Sequence, residues 1–330
     1  RFRYLVPPDI AESSHHYRYV ATIDWLFDLY ADLVGKLVPY YETLFPKQDG
    51  DSNFVWRSTI RAKACDDIRG LLPSSTTSNV GIFGSGQAYE KLLIRMRAHP
   101  LAEVRQYADM LLDELRKFIP SFMRRVDMVG RGVDLSDYLA DIDRNMNSLA
   151  ANIDASPETR PEVVLVEWDE EAEQKIAAAS LYAYTDLPDD QLRQVVAAMP
   201  ESARNELIQA YVGDRTNRRQ KPGRAMERSD YRFDILCDYG IFRDLQRHRM
   251  LSIEWQQLSP THGYVTPESI DDIGATDLWD EAMARANDLY TDIAADLGGA
   301  VAQYVIPFAY RIRFFFQMNV REAFHLLELR

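Results

Sequence analysis

Arg247-His248-Arg249-Met250-Leu251-Ser252, continuing from Ile253 to Pro260 as IEWQQLSP, gathers hydrogen-bond donors more tightly than any other stretch of the chain. It follows an apolar-periodic segment, Tyr239 to Leu245. Neighbouring residues on a helix point about 100° apart, so Arg247 and Arg249 do not share a helix face. At the end of an element they fan around a bulky anion instead. Arginine offers a planar fork that matches phosphate or a pair of carbonyls, and histidine adds a directional donor or acceptor. The plainer alternative is a solvated, salt-bridged helix end, because Asp238 and Asp244 are close by.

Working outward, Tyr231, Phe233, Ile235 and Cys237 alternate and predict a strand with one buried face. Before it come a basic loop, Asp214 to Arg224, and helices over Asp189 to Ala198 and Ser202 to Val212, the latter with Ser202 as its cap. Glu162 to Trp168 reads as a buried strand, followed by a helix opened by Asp169-Glu170-Glu171. After the basic triplet, Leu278, Ala282, Leu289, Ile293 and Leu297 mark a long helix. Ile312, Phe314 and Phe316 mark a strand, and Val320 to Arg330 a closing helix.

The first part of the chain repeats that order. Val20, Ile23, Phe27, Tyr30, Val34 and Leu37 predict a long helix, and Ile60 to Leu71 a second one, halted before Pro73. Ser74 to Ser85 is a loop or weak strand, and helices follow over Ala88 to Arg97 and after Pro100. Tyr264-Val265-Thr266-Pro267 echoes Tyr4-Leu5-Val6-Pro7, and Pro307 to Arg330 echoes Pro73 to Arg97. Matched element order points to tandem modules. Asp127 to Arg160 is polar and reads as a linker containing a short helix, with the boundary near residue 155. The division is 1–150 for the partial first module with its linker and 151–330 for the second.

The 330 residues suit two domains, and 46% hydrophobic with 27% charged residues describes an ordinary globular protein. A net charge of −13 argues against a general nucleic-acid binder. No run approaches about 18 uninterrupted apolar residues, so no membrane span is expected, and no signal peptide opens the chain. Cys65 and Cys237 lack paired spacing, so neither a disulfide scaffold nor a metal site is expected. A cytoplasmic setting fits these features.

The triplet resembles the signature of flavin-dependent thymidylate synthases (the thymidylate synthase complementing protein family). That signature is Arg-His-Arg, two residues, Ser, one residue, Asn-Glu, one residue, Ser, one residue, Arg. Arg247, His248, Arg249 and Ser252 match it in place. Glu254, Trp255, Gln257 and Ser259 depart from it. Residues 302–330 (AQYVIPFAYRIRFFFQMNVREAFHLLELR) are similar to the family's Ala-Arg-x-x-Leu-Pro helix end, aromatic strand, Asn-x-Arg and closing helix. Asn319 and Arg321 fall on Asn-x-Arg, His325 on a flavin-side polar position, Arg330 on the closing arginine, and Gln303 where a phosphate-holding arginine is expected. Residues 68–97 are similar too, with Arg69 on the phosphate arginine, Arg97 on the closing arginine, and Gly86 in place of the asparagine. Upstream, Pro222 to Arg228 lies where the family has His-x-Thr/Ser-Pro-Phe-Glu-His, and keeps Glu227. The match begins mid-module and Arg1 opens the chain, so a front half before Arg1 and a tail after Arg330 are expected.

The resemblance implies an α+β fold, an antiparallel sheet flanked by long helices in two tandem modules, the first partial. It also implies methyl transfer from methylenetetrahydrofolate to dUMP, giving dTMP, with FAD as cofactor and NADPH as reductant. Arg247, His248, Arg249, Asn319 and His325 would bind FAD. Arg69, Arg97 and Arg330 would bind the nucleotide, Arg330 also serving catalysis at the uracil carbonyl. Arg69 supplies what Gln303 lacks, so one module's site is expected to be completed from the other. The residues alone also allow Asn319 to be a helix cap, His325 a core histidine and Arg330 a helix-end charge. A homo-oligomer follows from the resemblance, as a tetramer or a dimer of tandem chains. The alternatives are a flavoprotein of the same fold with another substrate and a non-catalytic assembly module.

Overall fold

A computed structural model describes residues 3–329. The chain divides into two compact units, Arg1–Glu158 with Gln257–Tyr310, and Thr159–Gln256 with Arg311–Arg330.

The second unit holds a four-stranded sheet. Its strands are β1 (Val163–Trp168), β2 (Asp230–Asp238), β3 (Ser252–Trp255) and β4 (Arg311–Asn319), in the order β1-β2-β4-β3 with antiparallel neighbours throughout. Strand β4 shows why the alternation predicts a strand: Ile312, Phe314, Phe316 and Met318 are buried, while the residues between them face outward. Phe314 lies opposite Ile235 and Phe316 opposite Phe233. Burying side chains of this size contributes about 1.5–3 kcal/mol each. On the other face Arg313 donates to Asp234 (2.7 Å) and Arg232 to Gln317 (3.1 Å), so β2 and β4 are also tied by polar pairs.

Three readings change here. β1 is an edge strand rather than a buried one: Val163, Leu165, Val166 and Trp168 are all exposed. It pairs only with β2, and an apolar run has the same pattern on an edge as in a core. β3 is a fourth strand, too short for alternation to reveal. The helix Glu201–Val212 starts one residue before Ser202, with Pro200 at its N-cap and no capping side chain. Proline's fixed φ, −57° here, suits that boundary. The helices Ala172–Leu181, Asp189–Ala197 and Glu201–Val212 close over Ala177, Ala178, Leu192 and Val196.

The first unit is helical and internally duplicated. Tyr4 bridges to Thr76, and Tyr264 bridges to Tyr310. Leu5 N–H donates to Ser75 O (2.9 Å), and Val265 N–H to Ala309 O (3.0 Å). The Tyr4 hydroxyl donates to Asp24, and the Tyr264 hydroxyl to Asp280. Each copy passes a leading proline, Pro7 or Pro267, then a long helix, His16–Leu44 or Thr276–Leu297. Each ends in a 3₁₀ turn, Arg69–Leu71 or Gln303–Val305. The two copies meet at that turn: Pro73 bridges to Pro307, Ala309 N–H donates to Gly70 O (2.8 Å), and Ser74 N–H to Ile306 O (2.9 Å). The longer first copy is explained by an added helix, Asn53–Ile68, packed on His16–Leu44. The duplication aligns Ser85 with Asn319 as helix caps, since Ser85 Oγ accepts from Ala88 N–H and Asn319 Oδ1 from Glu322 N–H. Gly86 is therefore the first helical residue and not the counterpart of the asparagine.

The polar segment after Asp127 holds a 19-residue helix, Gly132–Ala150, longer than the short one expected. It is seated by its first turn. Ser136 donates to Ile94 O (3.0 Å), and Gly132 lies so close that an added Cβ would fall 2.0 Å from Val126 O. Its apolar residues Leu135, Tyr138, Ile142, Met146 and Leu149 are exposed. Among the described residues no helix is long and apolar enough to cross a membrane.

Candidate functional site

The helix Tyr239–Leu245 carries the basic triplet. Asp238 caps it, Oδ1 accepting from Ile241 N–H at 3.1 Å. Phe242, 1% exposed, packs on Phe314 and Trp255 with ring centroids 5.0 and 5.5 Å away, which fixes the helix on the sheet. The chain then turns, with His248 N–H bonded to Leu245 O and Leu251 N–H to His248 O, and enters β3. In that turn His248 goes inward while Arg247 and Arg249 stay exposed. Arg247 also pairs with Asp244.

The closing helix, Val320–Leu329, supplies the other wall. Its cap Asn319 sets the register that puts Glu322 and His325 on one face, three residues apart. Glu322 Oε1 lies 3.1 Å from His248 Nδ1, and the side chains are 6% and 2% exposed. Where the carboxylate accepts, Nδ1 carries the ring proton. His248 Nε2 is buried with no hydrogen-bond partner. The His325 ring meets His248 edge-on, with centroids 5.8 Å apart.

A cavity of about 130 Å³ opens beside this cluster, lined by Lys221, Glu227, Met250, Asn319, Arg321, Glu322 and His325. Arg321 is held in place by Pro222 O (2.9 Å) and Glu227 Oε1 (2.7 Å). Burial pushes the Glu227 carboxyl up, but the hydrogen bonds from Arg321 and Arg224 outweigh it and leave the group below its usual range. Cys237 is different. Burial, reinforced by the Asp238 charge, pushes its thiol up to about 12, so it is no nucleophile at neutral pH.

The second unit thus brings together His248, Asn319 and His325, with Arg247 and Arg249 on the same turn. Arg69 and Arg97 belong to the helical unit. Arg69 faces Asp66 at 3.8 Å and Arg97 faces Asp109 at 3.4 Å. Arg330 lies outside the described residues. Glu322 was not singled out in the sequence, although its spacing to His325, Glu-x-x-His on a helix, is a readable signal.

Residues 1–121 and 164–330 match the thymidylate synthase complementing protein family. The chain belongs to that family. A UPF0159 protein of Chlamydia pneumoniae is 36% identical over 332 residues, covering all of this chain and 62% of the relative. One of Thermoplasma acidophilum is 29% identical, covering 92% of this chain and 64% of the relative. The chain therefore spans less than two thirds of the length of these relatives. Among solved structures, thymidylate synthase X (ThyX) from Helicobacter pylori with FAD and dUMP aligns with a TM-score of 0.38 and 16% identity, over 52% of this chain and 84% of that one. A UMP/dUMP methylase, PolB from Streptomyces cacaoi bound with 5-Br dUMP, aligns at 0.37 and 18%, over 50% and 76%.

Within this chain, three of the departures from the family's pattern have structural roles. Trp255 packs against Phe242 with its ring tilted. Ser259 caps the 3₁₀ turn Pro260–His262 by accepting from Thr261 N–H. Gln303, the counterpart of Arg69, accepts from Leu258 N–H (2.9 Å) and donates to Ala300 O (3.3 Å), so its amide already serves the backbone.

Proposed function

We propose that this chain carries a flavin site of the thymidylate-synthase type and acts in FAD-dependent methyl transfer to dUMP. The observation that carries this is the split within the triplet. His248 is locked inward on Glu322, while Arg247 and Arg249 flank it at the surface, where a ligand's phosphates can reach them. Arg247 and Arg249 bind the phosphates of FAD or the nucleotide, and the imidazoles of His248 and His325 with Asn319 form the flavin-side wall. The residues present fit the cofactor where the cavity wall offers the Asn319 amide and the His325 imidazole to a ring edge, with Lys221 beside the ion-paired Arg321. Held by these residues, FAD would supply the redox chemistry of the transfer, with NADPH as reductant and methylenetetrahydrofolate as one-carbon donor.

The protein's own part is to bind anions, orient them and stabilise charge developing on the uracil ring. Arg69 and Arg97 are the proposed nucleotide-binding arginines, and Arg330 the group at the uracil carbonyl. Cys237, kept protonated, is not needed as a nucleophile. In this reading 1–150 is a partial first module and 151–330 a second, and the chain works as a homo-oligomer.

A second reading has its own support. Trp255, half exposed, and Gln257 stand where the family's signature handles dUMP, which favours a flavoprotein of this fold with a different substrate. Titrating the purified protein with FAD and then dUMP, and following visible absorbance, separates the two. A flavin spectrum that shifts on dUMP supports thymidylate synthesis. Bound flavin blind to dUMP supports the second reading, and no retained flavin rejects both.

A further inference from the structure

We propose that His248, Glu322 and His325 form a binding site for one divalent transition-metal ion of the zinc class. One ligand atom from each of the three lies within 4.8 Å of the others. The His248–Glu322 separation of 3.1 Å is close to the ligand–ligand spacing of about 3.4 Å that tetrahedral zinc imposes at ordinary bond lengths. Two imidazoles and one carboxylate are a donor set that zinc sites use, with a fourth position left open. Here the cavity beside Glu322 and His325 has room for a water at that position.

His248 is 2% exposed and Glu322 6%, so the ion sits between buried ligands. It coordinates Nδ1 of His248 beside Glu322 Oε1, in place of the hydrogen bond between them. Lys221 and Arg321 also line the cavity and oppose a cation. Arg321 is already neutralised by Glu227. The ion ties the turn after Tyr239–Leu245 to the closing helix, and its open position can take a water. This goes beyond the flavin reading and does not rest on it, since it turns the two imidazoles toward a metal.

The test uses the full 330-residue chain, stripped with a chelator and titrated with Co²⁺ alone. Expected are saturable uptake of one equivalent and visible d–d bands of a tetrahedral or five-coordinate ion. Glu322→Gln and His325→Gln should each weaken uptake at least tenfold while circular dichroism shows the fold intact. No saturable uptake by the folded wild-type chain overturns the proposal, as does uptake that survives both substitutions. That first outcome needs no variant to fold. FAD retention is measured on the same samples. Flavin binding without Co²⁺ uptake sinks the metal site alone, whereas Co²⁺ uptake without flavin binding upholds it and removes the flavin reading.

Discussion

His248 and Glu322 meet at 3.1 Å with almost no solvent access, and this contact joins the basic turn to the closing helix. Glu322→Ala leaves a buried ring nitrogen without its acceptor. The expected cost is about 3 kcal/mol in urea unfolding. Glu322→Gln keeps an acceptor oxygen and should cost less than half of that. Equal losses from both would show that side-chain volume, not the hydrogen bond, matters here.

Arg247 and Arg249 should behave in the opposite way. Both are exposed, so replacing either by alanine should shift stability by less than about 0.5 kcal/mol. FAD affinity should fall about tenfold or more for each, the size of one lost charge-assisted hydrogen bond. Equilibrium binding followed by flavin fluorescence gives the answer. Unchanged affinity in both variants would return the triplet to a plain solvated helix end.

Acid stability should report on Glu227. Its folded-state pKa lies below the ordinary carboxylate value, so the contact with Arg321 stabilises the fold above that value. The contribution disappears as pH falls through the folded-state pKa. Wild type and Glu227→Gln should therefore differ in unfolding midpoint near neutral pH, with a gap that starts to shrink below the ordinary carboxylate value of about 4.3 and vanishes only below the folded-state value. A gap that stays constant down to pH 3 would rule out this linkage.

The pairing of sequence and structure was uneven for physical reasons. Strong alternation, as in Ile312 to Met318, and long three-and-four spacing, as in Thr276–Leu297, set β4 and that helix plainly. The edge position of β1 was hidden because burial depends on what covers a strand, not on its own residues. The helix Gly132–Ala150 was masked by its polar composition, although Leu135, Tyr138, Ile142, Met146 and Leu149 stand at three-and-four spacing. In the site, the Arg-His-Arg letters were legible as a motif. Their division into one inward and two outward side chains needed the partner, Glu322, which lies 74 residues on.

Gly132 gives a packing test of the first unit. A Cβ there would fall 2.0 Å from the Val126 carbonyl, which is backbone and cannot rotate aside. Gly132→Ala should destabilise by about 2–3 kcal/mol, as overpacking does. Thermal unfolding checks it, and an unchanged midpoint would mean that the helix start is seated differently.

Cys237 tests the chemistry. With its thiol pushed up to about 12, it should resist iodoacetamide at pH 8, and Cys237→Ala should keep flavin binding and any turnover. Loss of turnover with flavin still bound would mean that the thiol takes part.

The proposed role of the basic turn is to serve a flavin and a uracil nucleotide. The most direct measurement is the visible absorbance spectrum of the purified chain with FAD, before and after adding dUMP. A bound-flavin spectrum that shifts when dUMP is added is expected, with both effects weakened in Arg249→Ala. A chain that retains no flavin in the presence of excess FAD would contradict it.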